Sequence, residues 1–579
     1  MGLPLALQAH KNGDLEVALQ HYQRALEQGV SSPVLYQNMG ALLRKKGKSD
    51  EAMQIYNKGI LQYPNHVGLL TNRGNLLHAD FPASALCDLY AVVRLKIASG
   101  APSSSYGGQL KSIIALHREM GLLSRAILIA KTALNLLGSD PMLLGQIIVI
   151  IDEINSSSSQ ILNFDPQELL DLLEKRIETC SPPQRGELRL HLASHDLSKG
   201  MLSRALERFE SGLSSLSEEA PTSKEELQTR QKLIDVNSWN FGCGLLKAQQ
   251  FERGWKMFEY GLRTPAEGSQ RWQRALQKPF AASELPMWRG ESLKGKRLLL
   301  LDEQAIGDVM MFLTMVSHLQ KEAARVGIII NERLKDIYSR SFNGTLDVWT
   351  HSDARKKNVT QNDYDYQCPL GSIFQYRFCD VKCYSPISPI IKPDYGRREQ
   401  LRKSYFEAGS LSVERLIGVS WQGGGKPGRI RQKSITPDLF SSCMQNIPGI
   451  RFVSLQYGNV ESKVNSWRKS GIDIIHDTRV NALKDMNLWV DQVSACDAVI
   501  SVANTTIHGA GGLGIPTLCL LSKQSDWRWF DDQRVTRSYW YPSVGIARES
   551  PERGWDSALA EAVEWVKSGN LIREGPTFS

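Results

Sequence analysis

The chain has 579 residues, 42% hydrophobic and 22% charged, a length beyond one core and a composition that predicts about two to four folded domains. Its net charge of +8 is modest for that length, and no dense basic run carries interleaved aromatics, which argues against nucleic acid and suits anionic substrates or loose contact with an anionic membrane surface. No apolar run approaches about 18 residues, residues 1–15 lack a signal-peptide core, and the nine cysteines are scattered without a C-x-x-C pair. The expectation is a protein without transmembrane segment, disulfide framework or zinc ribbon, cytoplasmic or peripheral to the inner membrane.

The first half repeats itself. Gly13, Ala18, Tyr22 and Ala25 recur 34 positions later as Gly47, Ala52, Tyr56 and Gly59, and Asn38-Met39-Gly40-Ala41-Leu42-Leu43 recurs as Asn72-Arg73-Gly74-Asn75-Leu76-Leu77. Such a period predicts paired helices with small residues where they cross and large ones between, and it resembles the tetratricopeptide repeat. Weaker copies follow at Gly121-Leu122-Leu123-Ser124-Arg125-Ala126, at Gly200-Met201-Leu202-Ser203-Arg204-Ala205 and from Asn240 to Gly254-Trp255. The spacing predicts about seven helix pairs over residues 1–265, with inserted loops at 102–108 and 156–159. A stacked array of this kind presents a concave face to a peptide or protein partner, or else serves only to support its neighbour.

Residues 266–295 read as a linker. Arg297-Leu298-Leu299-Leu300-Leu301 is then a buried-strand run, followed by a loop at 302–307, a helix over about 308–322 and a strand at Val326-Gly327-Ile328-Ile329-Ile330. Strands alternating with helices predict a parallel sheet with its chemistry at the strands' carboxyl ends. Residues 296–395 form a first lobe on this reading, and a stretch rich in turn residues (Pro386, Pro389, Pro393, Gly396) is a hinge. Residues 396–579 form a second lobe, with strands expected at 416–421, 452–455, 473–475, 498–502 and 517–521.

Two stretches of the second lobe suit an anion. Asn504 can cap a helix whose first turn holds Thr505, Thr506 and His508, and the free N–H groups of such an end attract phosphate. Gly509, Ala510, Gly511, Gly512 and Gly514 leave that helix almost bare, for close seating on the sheet or close approach to a phosphate. The other stretch is Gly423-Gly424-Gly425 with Lys426, Arg429, Arg431 and Lys433, either a phosphate loop or a solvated basic one. In the first lobe Asp308 falls in a helix's first turn, where a carboxylate is favoured by the dipole whatever else it does.

Several segments now fall into an order: Gly254-Trp255, Pro286-x-Trp288-x-Gly290, Glu303-Gln304-Ala305-Ile306-Gly307-Asp308-Val309-Met310-Met311-Phe312, Gly418-Val419-Ser420-Trp421-Gln422-Gly423, Ser454-Leu455-Gln456-Tyr457-Gly458, Asn504-Thr505-Thr506-x-His508-x-Ala510-Gly511, Asp526-Trp527-Arg528-Trp529 and Trp540-Tyr541-Pro542. The ordered set resembles bacterial tetratricopeptide proteins that carry a domain similar to the heptosyltransferases, glycosyltransferase family 9, over essentially the whole chain. The resemblance implies an α-helical solenoid followed by an α/β GT-B fold, two Rossmann-like parallel-sheet lobes around a cleft. It also implies inverting transfer of a sugar from a nucleotide-sugar donor to a glycan, glycolipid or protein acceptor, without metal or cofactor.

Residue by residue, the resemblance makes Asp308 the base that deprotonates the acceptor. Gly423, Gly424, Arg431, Lys433, Asn504, Thr505, Thr506 and His508 become donor contacts, and Gln304, Gln456, Trp527 and Arg528 further cleft contacts, the tryptophans suiting core packing equally. Two positions depart from the pattern. Ala305 stands where the family has Gly, and Ala503 where it has Asp, which takes a carboxylate from the donor pocket. Three rivals follow. A P-loop ATPase fails because Gln432 occupies the position of the second Walker glycine. A protein-binding scaffold with an inactive domain is compatible with Ala503, and a protein glycosyltransferase, whose repeats present a polypeptide acceptor, is compatible with the array.

Overall fold

A computed structural model describes residues 2–138, 140–155, 166–177, 180–263, 274, 279–384, 388–409, 412–425, 430, 432–523, 525–530 and 535–571. It divides into two compact units, Met1–His195 and Asp196–Ser579. Between Gly2 and Phe258 the described residues form fourteen α-helices: α1 (Gly2–Asn12), α2 (Leu15–Glu27), α3 (Pro33–Lys45), α4 (Ser49–Gln62), α5 (Val67–Leu77), α6 (Pro82–Ala98), α7 (Gly107–Glu119), α8 (Leu123–Leu137), α9 (Pro141–Asn155), α10 (Pro166–Ile177), α11 (Pro182–Ser198), α12 (Leu202–Ser215), α13 (Lys224–Lys247) and α14 (Phe251–Phe258).

In the first unit α1 to α8 pack as consecutive pairs, and the 34-residue period has a steric origin. Tyr22, Tyr36 and Tyr56 are buried, and Tyr56 fills the notch opposite Gly40, where an added Cβ would lie 2.3 Å from its ring. Gly59 makes the reciprocal notch for Tyr36 at 2.7 Å. Large and small residues at fixed offsets are therefore two halves of one crossing. Gly13, Gly47 and Gly121 end helices with φ between +75° and +87°, a conformation that glycine adopts without a Cβ penalty.

The second unit opens with α12 to α14. Gly242 of α13 lies so close to the α14 backbone that a Cβ would be 2.7 Å from the Phe258 nitrogen. Trp255 of α14 is buried, stacks on Phe374 at 4.6 Å and donates its indole N–H to the Tyr384 hydroxyl at 3.0 Å. This aromatic packing makes the last helix pair part of the same core as the sheets. Most of the first half of the expected linker, 266–273 and 275–278, lies outside the described residues.

The first lobe is a four-stranded parallel sheet of order β3-β2-β1-β4, with β1 (Arg297–Leu301), β2 (Arg325–Ile330), β3 (Asp347–Thr350) and β4 (Tyr366–Pro369). The second is a six-stranded parallel sheet of order β10-β9-β8-β5-β6-β7, with β5 (Arg415–Ser420), β6 (Ile450–Ser454), β7 (Ile474–Ile475), β8 (Ala498–Val502), β9 (Thr517–Leu521) and β10 (Val544–Arg548). Both sheets reverse direction of growth at a switch point, between β1 and β4 and between β5 and β8, and ligands of such sheets bind at the carboxyl ends beside it. The chain is thus a tetratricopeptide-like helical array followed by two Rossmann-like lobes, the GT-B arrangement.

The lobes are joined by a strap at 388–394. Ile390 and Ile391 both donate their N–H to the Gly512 carbonyl, at 2.9 and 2.8 Å, and Ile391 and Pro389 sit against Gly512 and Gly514, each 2.6 Å from an ideal Cβ. Gly509 meets Trp489 at 2.6 Å and Gly511 meets Tyr541 at 2.4 Å. The bare face of the Thr505–Leu513 helix therefore receives side chains and the strap, and its glycines are accounted for by that packing.

Candidate active site at the lobe junction

After β1 the chain turns sharply through Gln304, whose φ of +60° is in the left-handed region, and the helix Ile306–Leu313 begins. Ala305 has φ −99° and ψ 163°, extended backbone open to any residue, so its departure from glycine costs nothing here. Asp308 sits in the first turn, and its Oδ2 accepts the Ala305 N–H at 3.1 Å, satisfying one of the unpaired donors at the helix start. Its Oδ1 accepts from Arg528 Nε at 2.5 Å, and the residue is 5% exposed. Arg528 comes from the second lobe and also donates from Nη2 to Gln304 Oε1 at 3.3 Å and from Nη1 to Asp526 Oδ2 at 3.0 Å. Burial works against its charge, but Asp308 and Asp526 outweigh that and raise its pKa.

The helix Ile306–Leu313 packs on the helix Thr505–Leu513. The contact is Gly307 against His508, whose Cδ2 would be 2.8 Å from a Cβ on Gly307. His508 Nδ1 lies 3.0 Å from the Tyr541 hydroxyl. Burial pushes its pKa down to about 4, Asp308 pulling the other way while Arg528 and Lys433 add to the depression. At neutral pH the imidazole is uncharged, so it can offer a phosphate one N–H and no positive charge.

The loop after β5 is built by two amides. Gln456 Oε1 accepts from Ser420 Oγ, Trp421 N and Gln422 N at 2.9 to 3.0 Å. Asn504 Oδ1 caps its helix at Thr506 N, 2.8 Å away, while Nδ2 donates to Ser420 Oγ and the Gln422 carbonyl at 2.8 and 3.1 Å. These bonds span the β5–β8 switch point and fix Gly423 beside the helix N-terminus. Gln456, expected as a cleft contact, is 4% exposed and is a strut of this loop, its carbonyl saturated by the three donors.

The Lys433 stem crosses Gly423, its Cε 2.6 Å from an ideal Cβ, and the Tyr457 hydroxyl lies 2.5 Å from an ideal Cβ on Gly424. Thr506 is buried and Thr505 partly exposed at the helix start. Arg431, with Lys426 and Arg429, lies outside the described residues. Trp527, for which the sequence left cleft contact and core packing equally open, is 5% exposed among Trp255, Phe258 and Phe312, with ring centroids 5.1 to 6.2 Å away. It belongs to the core because the aromatic side chains of α14 reach it there.

Two further features were not assigned from the sequence, although the Ser454–Gly458 motif lines the second. Arg274, buried in the linker, donates to both Glu303 oxygens at 2.6 Å, to Ser372 Oγ at 2.8 Å and also to Glu259. Burial opposes its charge, and the two glutamates overcome that and raise its pKa. The other is a cavity of about 260 Å³ at the carboxyl ends of β6 and β7, lined by Ser454, Gln456, Tyr457, His476, Asn481 and Trp489 among others. Ser454 Oγ, His476 Nδ1 and Trp489 Nε1 are buried there without a hydrogen-bond partner among the described residues. His476 has its pKa lowered, by burial first.

Among the described residues no three His, Cys, Asp or Glu side chains gather as metal ligands would, and no helix is long and apolar enough to cross a membrane. No protein-family model matches the chain. It is 23% identical over 556 residues to Protein FlbA of Caulobacter vibrioides, an alignment covering 91% of this chain and 84% of that protein. Among solved structures, a glycosyl transferase family 9 protein of Veillonella parvula aligns with 49% of this chain and 99% of its own at 11% identity and a TM-score of 0.36. A tetratricopeptide-repeat protein of Thermus thermophilus aligns with 40% of this chain and 97% of its own at 17% identity and a TM-score of 0.23.

Proposed function

We propose that the chain transfers a sugar from a nucleotide-sugar donor to a hydroxyl-bearing acceptor, a glycan, glycolipid or protein. The observation that carries this reading is that Asp308 of the first lobe meets Arg528 and His508 of the second next to the Asn504-capped helix, where the carboxyl ends of both sheets come together. A nucleoside fills the cavity lined by Ser454, His476 and Trp489, while the diphosphate lies toward Thr505, Thr506 and Lys433, where helix N–H groups and a cation offset its charge. Asp308, from the other lobe, takes the proton of the acceptor hydroxyl as its oxygen bonds to the anomeric carbon and the sugar–phosphate bond breaks. The leaving-group charge rests on the helix end, Lys433 and the neutral His508 N–H, without a metal. The helical array presents the acceptor or a protein partner.

The test is thermal. Titration with ADP, GDP, UDP and CDP should raise the melting temperature with one base well above the others, since a ligand at a hundred times its Kd adds about 2.7 kcal/mol. Ser454→Ala with Trp489→Phe should weaken that response. No response to any nucleoside diphosphate would favour the scaffold reading, to which Ala503 already lends the loss of one donor-side carboxylate.

A further inference from the structure

We propose that Arg528 is a positioning residue for the transfer, fixing the orientation of the Asp308 carboxylate from the opposite lobe. The inference rests on the glycosyl-transfer reading of the same site. Three of the five guanidinium N–H groups are committed, to Asp308 at 2.5 Å, to Gln304 at 3.3 Å and to Asp526 at 3.0 Å, and the side chain is 21% exposed. A planar fork that spans both lobes and three partners sets an angle, which a lysine's point charge does only in part.

The surroundings hold Arg528 as firmly as it holds Asp308. Its own carbonyl accepts the Trp540 indole N–H at 2.7 Å, its N–H donates to Asp526 Oδ1 at 3.1 Å, and its guanidinium lies 4.7 Å over the Trp527 ring. Trp527 in turn is wedged against Trp255 and Phe258 of α14. The last helix pair of the array thereby backs the arginine that orients the candidate base. Other ionisable groups acting here are His508, Lys433, Asp526 and Tyr541 of the second lobe and, on Arg528, Cys243 of α13. Glu303, one residue before Gln304, is occupied by Arg274.

The experiment is a steady-state comparison of the full chain carrying Arg528→Gln, Arg528→Lys or Asp308→Asn, and of the double variant R528Q/D308N. A misaligned base costs about 10²-fold, so R528Q should lose roughly that in kcat with donor KM within about twofold, and R528K should recover part of it. In the D308N background R528Q should add little, because the carboxylate it orients is already gone. A lowered melting temperature with equal effects in both backgrounds and no recovery by lysine would mean a structural role and overturn the proposal, as would normal kcat in R528Q. Unaltered protein that turns over no donor would overturn the transfer reading first and this proposal with it.

Discussion

At the scale of single residues, His508 shows how burial decides chemistry. Held between Tyr541 and Gly307, it has a pKa of about 4 against an ordinary 6.5. The unfolded chain therefore binds the proton first as pH falls. The stability contributed by the neutral form is complete above about 6.5 and drains away toward about 4. His508→Asn should remove that component, so its melting temperature should fall less steeply than that of the unaltered protein between pH 6.5 and 4. His191, also depressed to about 4, is common to both proteins and cancels in the difference. Parallel curves would mean that His508 is solvated and free to protonate.

At the scale of elements, Arg274 of the linker joins the turn after α14, the β1 loop and the turn after β4 through Glu259, Glu303 and Ser372. Breaking such a group leaves charge buried without a partner, so Arg274→Met should destabilise the protein by about 3 to 5 kcal/mol. Denaturant unfolding would show it, and adding Glu303→Gln should restore part of the loss. An unchanged midpoint would contradict this account of the contact. Nothing in the sequence around Arg274 announced it, since a polar linker gives no period and its partners are distant in the chain.

The strands were legible where they are apolar on both faces: β8 and β9 fall on the expected 498–502 and 517–521, and β1 on Arg297–Leu301. β3, β4 and β10 were not, because Asp347-Val348-Trp349-Thr350, Tyr366-Gln367-Cys368-Pro369 and Val544-Gly545-Ile546-Ala547-Arg548 mix polar or small residues into short runs. Asn504 was legible as a cap. The part of Gln456 was not, because a strut is defined by what lies opposite it, here the loop after β5.

At the scale of the whole molecule, the glycines most open to a phosphate reading receive Trp489, Tyr541 and the inter-lobe strap instead. The 34-residue period and the ordered motifs suffice to read a helical array followed by two parallel-sheet lobes, since the motifs at 303–312, 418–423, 454–458 and 504–511 each sit at a strand end or helix start that topology must place at a sheet edge. The meeting of Asp308, Gln304, Arg528 and His508 needed the structure, since Asp308 and Arg528 are 220 positions apart in the chain. The central claim is that this junction performs glycosyl transfer with Asp308 as base. Its most direct test is the transfer rate of the full chain and of Asp308→Asn, measured with the nucleotide sugar whose nucleoside diphosphate gives the thermal response. The account predicts a fall of about 10² to 10⁴ in turnover, with nucleotide binding retained, since the proposal puts the donor on the second lobe. Turnover within about twofold of the unaltered protein, far short of the effect of losing a base, would contradict it.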